Sequence, residues 1–194
     1  MRWLNFSSVR GTLRCWLQAS GSLSARLAFT GDVFSVQVLS QGRQPLSADE
    51  AQGLGLRAMR VGYAREVLLC VDGKPMVFAR SVTTFLDSVG PWRSVRGLGS
   101  RPLADVLFNR IGISRQPLEF KILHRQGMVQ RKVVQHWQKA TGISQRSRAL
   151  PARRSVFTRH GAALLVMEVF AANTSDWHCP SGFSMKTSKR RSRS

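Results

Sequence analysis

Residues 65–82, REVLLCVDGKPMVFARSV, read as two strands joined by a tight turn, and the rest of the chain has to accommodate that hairpin. A two-residue connection joins antiparallel neighbours only. Asp72-Gly73 supplies the turn, because glycine accepts positive φ without steric cost and aspartate tolerates it. Period-two alternation puts Tyr63, Arg65, Val67 and Leu69 on one face of the first arm. Phe78, Arg80 and Val82 share a face of the second. Each arm thus carries an arginine among apolar neighbours, a costly setting for a guanidinium unless an anion meets it.

The complement comes almost a hundred residues later. The run 163–171, AALLVMEVFA from its preceding alanine, is apolar on both faces, as a strand covered on both sides would be. Its single ionisable group is Glu168, on the side of Leu164, Val166 and Phe170. A carboxylate there has to be paired, protonated or held for use. A structural salt bridge to Arg65 or Arg80 is one reading, and a ligand-facing carboxylate is the other.

Longer blocks carry more information. Arg65 to Pro75 (REVLLCVDGKP), Ala79 to Val82 (ARSV), Gly97 to Leu103 (GLGSRPL), Ala152 to Ser155 (ARRS) and Leu165 to Phe170 (LVMEVF) resemble, in that order, the chorismate pyruvate-lyase family. The resemblance covers roughly residues 12–172. It implies conversion of chorismate to 4-hydroxybenzoate and pyruvate, at the start of bacterial ubiquinone synthesis. It also implies an α+β fold: a mainly antiparallel sheet of about six strands with helices packed over it.

Chorismate carries two carboxylates, a ring hydroxyl and an enolpyruvyl ether. Losing enolpyruvate with the neighbouring ring hydrogen leaves an aromatic ring, so the reaction needs no cofactor and no covalent nucleophile. The protein has to desolvate a dianion, fix its conformation and complement charge moving onto the leaving group. By resemblance, Arg65 binds the ring carboxylate and Glu168 contacts the 4-hydroxyl. Residues matching Leu23 and Leu103 touch the ligand from segments folded over the site. Arg80 is proposed for the enolpyruvyl carboxylate, with pairing to Glu168 as its alternative role. Alternation sends Arg153 and Arg154 to opposite faces, so one adds positive potential at the site and the other is expected at the surface.

Domain organisation follows the same match. Residues 1–12 read as an extension, 13–175 as the catalytic domain with a basic insertion at 127–151, and 176–194 as a basic, disordered tail. Within the insertion Val129, Val133, His136 and Trp137 fall at helical spacing. Elsewhere Ser22 is expected to cap a helix, Ser47 and Glu50 have capping-box spacing, and Ser100 is expected to cap a short helix containing Pro102. The acid-free first 31 residues could describe a transit peptide, but Trp16-Leu17 and Gly21-Ser22-Leu23 match the domain itself, so that reading is rejected.

The chain holds 30 Lys+Arg against 10 Asp+Glu, a formal charge of +20. Much of the excess sits in the insertion and the tail, where a solvated charge run is the ordinary reading. Weak contact of this tail with nucleic acid or an anionic membrane is the alternative; a ligand sensor of the same fold without catalysis is another. Cys15, Cys70 and Cys179 form no CxxC pair and read as reduced thiols of a cytoplasmic, monomeric protein. His124, His136, His160 and His178 show no metal-ligand spacing and read as surface or turn residues.

Overall fold

The computed structural model describes residues 3–58, 61–108, 111–124, 128–142, 144, 149–173 and 177–178. Along them run α1 (Thr12–Leu17), α2 (Leu23–Leu27), β1 (Phe34–Pro45), α3 (Ala48–Gly53), β2 (Val61–Val71), β3 (Lys74–Thr84), α4 (Phe85–Val89), α5 (Arg93–Arg96), α6 (Ala104–Leu107), β4 (Ile113–Arg115), β5 (Glu119–His124), α7 (Met128–Thr141), β6 (Ala149–Arg159) and β7 (Ala162–Phe170). The strands form one antiparallel sheet of seven, in the order β1-β2-β3-β7-β6-β4, with β5 also paired to β6. That is one strand more than expected.

The β2–β3 turn is Asp72-Gly73, both at positive φ (49° and 74°), which suits the right-handed twist of the strands it joins. His160 (φ 47°) and Gly161 (φ 77°) turn β6 into β7 in the same way. Near the first turn the ladder is interrupted. Cys70 pairs with Pro75, but Leu69 pairs with Val77, so Met76 is an extra residue on β3. A one-residue slip sends every later side chain to the other face. Beyond the bulge Arg65 lies opposite Ser81, and Arg80 lies opposite Glu66. The two hairpin arginines therefore point to opposite sides of the sheet.

One face carries Arg65, Val67, Ala79, Ser81, Val166, Glu168, Arg153, Ser155 and Phe157 as cross-strand neighbours. It is covered at one end by α1 and α2, whose Leu13, Trp16, Leu17, Leu23 and Leu27 pack on Val67, Leu69, Val77 and Phe170. At the other end α5 and α6 bring Val95, Val106 and Leu107 against Tyr63, Phe157 and Leu164. The opposite face is closed by α7, through Val133 and Trp137 on Leu68, Phe78, Met167 and Val169. The helix expected in the 127–151 segment is thus present and serves as a wall of the core.

Local signals act as anticipated at two helix starts. Ser22 accepts from the Ala25 amide (3.0 Å), and Ser47 and Glu50 form a reciprocal capping box. Ser100 does not cap: the helix begins only after Pro102, with Leu103 in the capping position and no side-chain cap.

Four expectations are corrected. Trp3 is buried, donates to Asp49 (3.0 Å), and Leu4 bridges Phe120, so part of the 1–12 segment belongs to the fold. Trp177, assigned to the tail, is buried between Trp16 and Phe170, and the His178 carbonyl accepts from Trp16 Nε1 (2.8 Å). Residues 179–194, with Cys179, lie outside the described residues. Cys70 is a free buried thiol, its pKa pushed up by burial, whereas Cys15 is disulfide-bonded rather than reduced. His136 is half-buried and reaches Glu66 at 3.3 Å.

Candidate active site

Between the two helical covers the sheet floor opens into a cavity with about 650 Å³ of empty space, part of it continuous with solvent. The register supplies its floor. Arg65, Ser81, Val166 and Ser155 form one cross-strand row, and Val67, Ala79, Glu168 and Arg153 form the next. Leu23 and Leu103 line it from opposite sides, one packed with α1 and α2, the other with α5 and α6. Four of the five residues singled out from sequence (Leu23, Arg65, Leu103 and Glu168) thus meet around one hollow.

Arg65 is 3% exposed. One terminal nitrogen donates to the carbonyls of Gly99 (2.8 Å) and Arg101 (3.0 Å), tying the segment before α6 to the sheet. Its Nε is buried and has no hydrogen-bond partner, and no carboxylate pairs with the group among the described residues. Burial lowers its pKa, with Tyr63 opposing, yet a guanidinium stays charged inside a protein. A buried cation that lacks a counter-ion is unfavourable until an anion arrives.

Glu168 is held from the neighbouring strand. Arg153 Nε lies 2.5 Å from Glu168 Oε2, and Arg153 Nη1 donates to the carbonyls of Trp16, Leu17 and Ala19 at 2.8–3.1 Å. Arg153 is almost wholly buried, and it locks the end of α1 to the carboxylate's support. Arg154 faces the other way, bonded to Glu119 (2.7 Å) and stacked 4.5 Å from Trp3, and is buried rather than at the surface.

Arg80 is the exception among the sequence-selected residues. Displaced to the far face by the Met76 bulge, it bonds Glu50 and Glu66, each at 2.6 Å, with Gln44 (2.6 Å) and the Pro45 carbonyl completing its shell. Burial opposes its charge, but hydrogen bonds and charges from Glu50 and Glu66 outweigh it and raise its pKa. Arg80 faces neither the cavity nor Glu168, so neither role expected of it survives.

Ser155 and Arg115 are among the lining residues that the sequence reading gave no role at the site. Ser155 follows the double arginine and shares its face with Arg153 and Phe157, a period-two signal that was available. Arg115 sits at the end of β4, a strand of three residues, too short for any alternation to show.

A model of the family described as chorismate lyase matches residues 2–178. A probable chorismate pyruvate-lyase of Albidiferax ferrireducens is 58% identical over 90% of this chain and 89% of its own. One from Azoarcus sp. is 44% identical over 81% and 82%. Among solved structures, the effector domain of PhnF from Mycobacterium smegmatis superposes with a TM-score of 0.54 at 14% identity, covering 79% of this chain and 90% of that one. The ligand-binding domain of a putative GntR-family regulator from Bordetella bronchiseptica gives 0.51 at 15%, covering 73% and 86%. At such identities the likeness to the regulators is one of fold, whereas the family model runs through the Arg65, Leu103 and Glu168 segments and the relatives match most of the chain: the chain belongs to the chorismate lyase family.

Proposed function

We propose that this chain is a chorismate pyruvate-lyase, eliminating pyruvate from chorismate to leave 4-hydroxybenzoate for ubiquinone synthesis. The names of its relatives and the matching family model support the reaction. The observation that carries the reading is Arg65: a buried guanidinium with an unpartnered Nε and no counter-ion among the described residues, lining an apolar hollow whose floor also presents Glu168.

Arg65 takes the ring carboxylate, and Glu168, steadied by Arg153, accepts the 4-hydroxyl. Leu23 and Leu103 close over the ring from α2 and the start of α6. The two covers hold the enolpyruvyl ether in one conformer and keep water from the ring. The ether C–O bond then breaks, and the ring carbon beside it gives up its hydrogen as the ring aromatises. Enolpyruvate leaves with the bonding electrons and, gaining a proton, becomes pyruvate. Aromatisation drives the step, so the protein's contribution is alignment and fixed positive charge near the departing oxygen. We assign the enzyme to the cytoplasm as a monomer.

Incubating the purified chain with chorismate tests the reaction. The expected result is 4-hydroxybenzoate and pyruvate in equal amounts, the latter followed through a coupled dehydrogenase. Tight ligand binding without pyruvate release would mark a sensor of the same fold instead.

A further inference from the structure

Two guanidinia line the cavity, and neither has a carboxylate partner among the described residues. The second is Arg115. The cavity's own carboxylate, Glu168, is already neutralised by Arg153 beneath it, so Arg65 and Arg115 leave the hollow with two uncompensated positive charges. A dianion with its charges at opposite ends is the complement of that arrangement.

The positions fit such a ligand. Arg65 comes from β2 and Arg115 from β4, four strands along the sheet, with Glu168 on β7 midway between them. Four strand spacings of about 4.8 Å separate the backbones, and both long side chains reach inward across that span. Arg115 pairs in register with Phe157, one step beyond the Arg65 row. Its Nε donates to Ser155 Oγ (3.3 Å), and Ser155 belongs to the Arg65 row, so the guanidinium leans back toward Arg65. Its remaining contacts are weak for a half-buried charge. Nη1 reaches the Gly21 carbonyl at 3.2 Å, and the group lies 5.1 Å from the Phe157 ring and 5.9 Å from Phe108. Burial lowers its pKa, Arg153 lowers it further, and Glu168 opposes, as expected of a cation whose counter-ion is still to come.

We propose that Arg115, presented by β4 and steadied by Ser155, binds the enolpyruvyl carboxylate of the substrate, the role for which Arg80 had been the sequence candidate. This rests on the lyase reading above. It makes Arg115 a residue that recognises substrate and leaving group but not the aromatic product, because 4-hydroxybenzoate keeps only the carboxylate held by Arg65.

The test compares Arg115→Gln and Arg115→Lys with the unaltered chain in two assays: kcat/KM for chorismate and the Kd of 4-hydroxybenzoate. Loss of a charge-assisted fork lowers kcat/KM about 100-fold in Arg115→Gln, with partial recovery in Arg115→Lys, while product Kd stays within about twofold. Thermal melting of both variants, and the product titration itself, report whether the site still folds. An unchanged kcat/KM, or a product affinity that falls as far as kcat/KM does, overturns the assignment while leaving the lyase reading intact. Absence of pyruvate release from the unaltered chain overturns both.

Discussion

Glu168 on β7 is bonded to Arg153, its direct neighbour on β6, and to neither arginine of the β2–β3 hairpin. The carboxylate therefore has a fixed support that is independent of ligand, and Arg65 keeps no carboxylate partner among the described residues. Arg153 does two things at once, since the same guanidinium gathers three carbonyls at the end of α1. The cover over the site and its polar floor are joined through one side chain.

Arg153→Lys keeps the charge but not the fork. The carboxylate then shifts, and α1 loses its anchor. Steady-state assays should show kcat down by about 10- to 100-fold, the scale expected of a misplacement near 1 Å. Calorimetry should show a lower Tm in the same protein. A change in Tm with kcat intact would mean that the pair supports the fold only.

Glu168→Gln tests the hydroxyl contact. An amide still bonds Arg153 through its carbonyl but accepts a phenolic proton less well. The expected loss is about 100-fold in kcat/KM and about tenfold in affinity for 4-hydroxybenzoate. Titration of the product by fluorescence, alongside turnover, separates the two.

Arg80→Met should behave in the opposite manner. It strips Glu50 and Glu66 of a shared cation in a buried setting, which costs about 3–5 kcal/mol. At roughly 2–4 °C per kcal/mol for a domain of this size, Tm drops by about 6 °C or more. Product affinity measured on the folded protein stays within about twofold, because the residue lies on the other face.

Glu66 gives the acid limb of stability. Burial alone would raise its pKa, but hydrogen bonds from Lys132 and Ser40, with the charges of Arg80 and Lys132, outweigh that and lower it. The folded value thus lies below the unfolded one, near 4.3. Its contribution is complete at neutral pH and is lost as pH falls through about 4.3 toward the folded value. Urea midpoints between pH 7 and 3 should show that decline, and Glu66→Gln should start lower and decline less. Since Lys132 and His136 both come from α7, the same variant should loosen that helix, seen as faster amide exchange over Met128–Thr141.

The hairpin, both of its turn residues, the Glu168 strand and two helix caps were legible in the chain because each depends on neighbours in sequence. The face on which Arg80 falls was not. Alternation shows which residues of β3 share a side, but which side depends on how β3 registers against β2, and the Met76 bulge changes that by one. Arg153 illustrates the same limit: parity separates it from Arg154, and only the pairing of β6 with β7 sets it against Glu168. Arg115 was hidden for a different reason, since β4 is three residues long and its importance arises from the cavity it borders. Trp177 was hidden by its surroundings, an aromatic in a polar, basic terminus that nevertheless completes the packing on Trp16.

The most direct measurement is the rate of 4-hydroxybenzoate formation from chorismate by the unaltered chain and by Arg65→Met, side by side. With a buried cation reserved for the ring carboxylate, the unaltered chain turns chorismate over, and the variant loses at least about 100-fold in kcat/KM together with its affinity for 4-hydroxybenzoate. Equal rates from the two proteins, or no product from either, would contradict it.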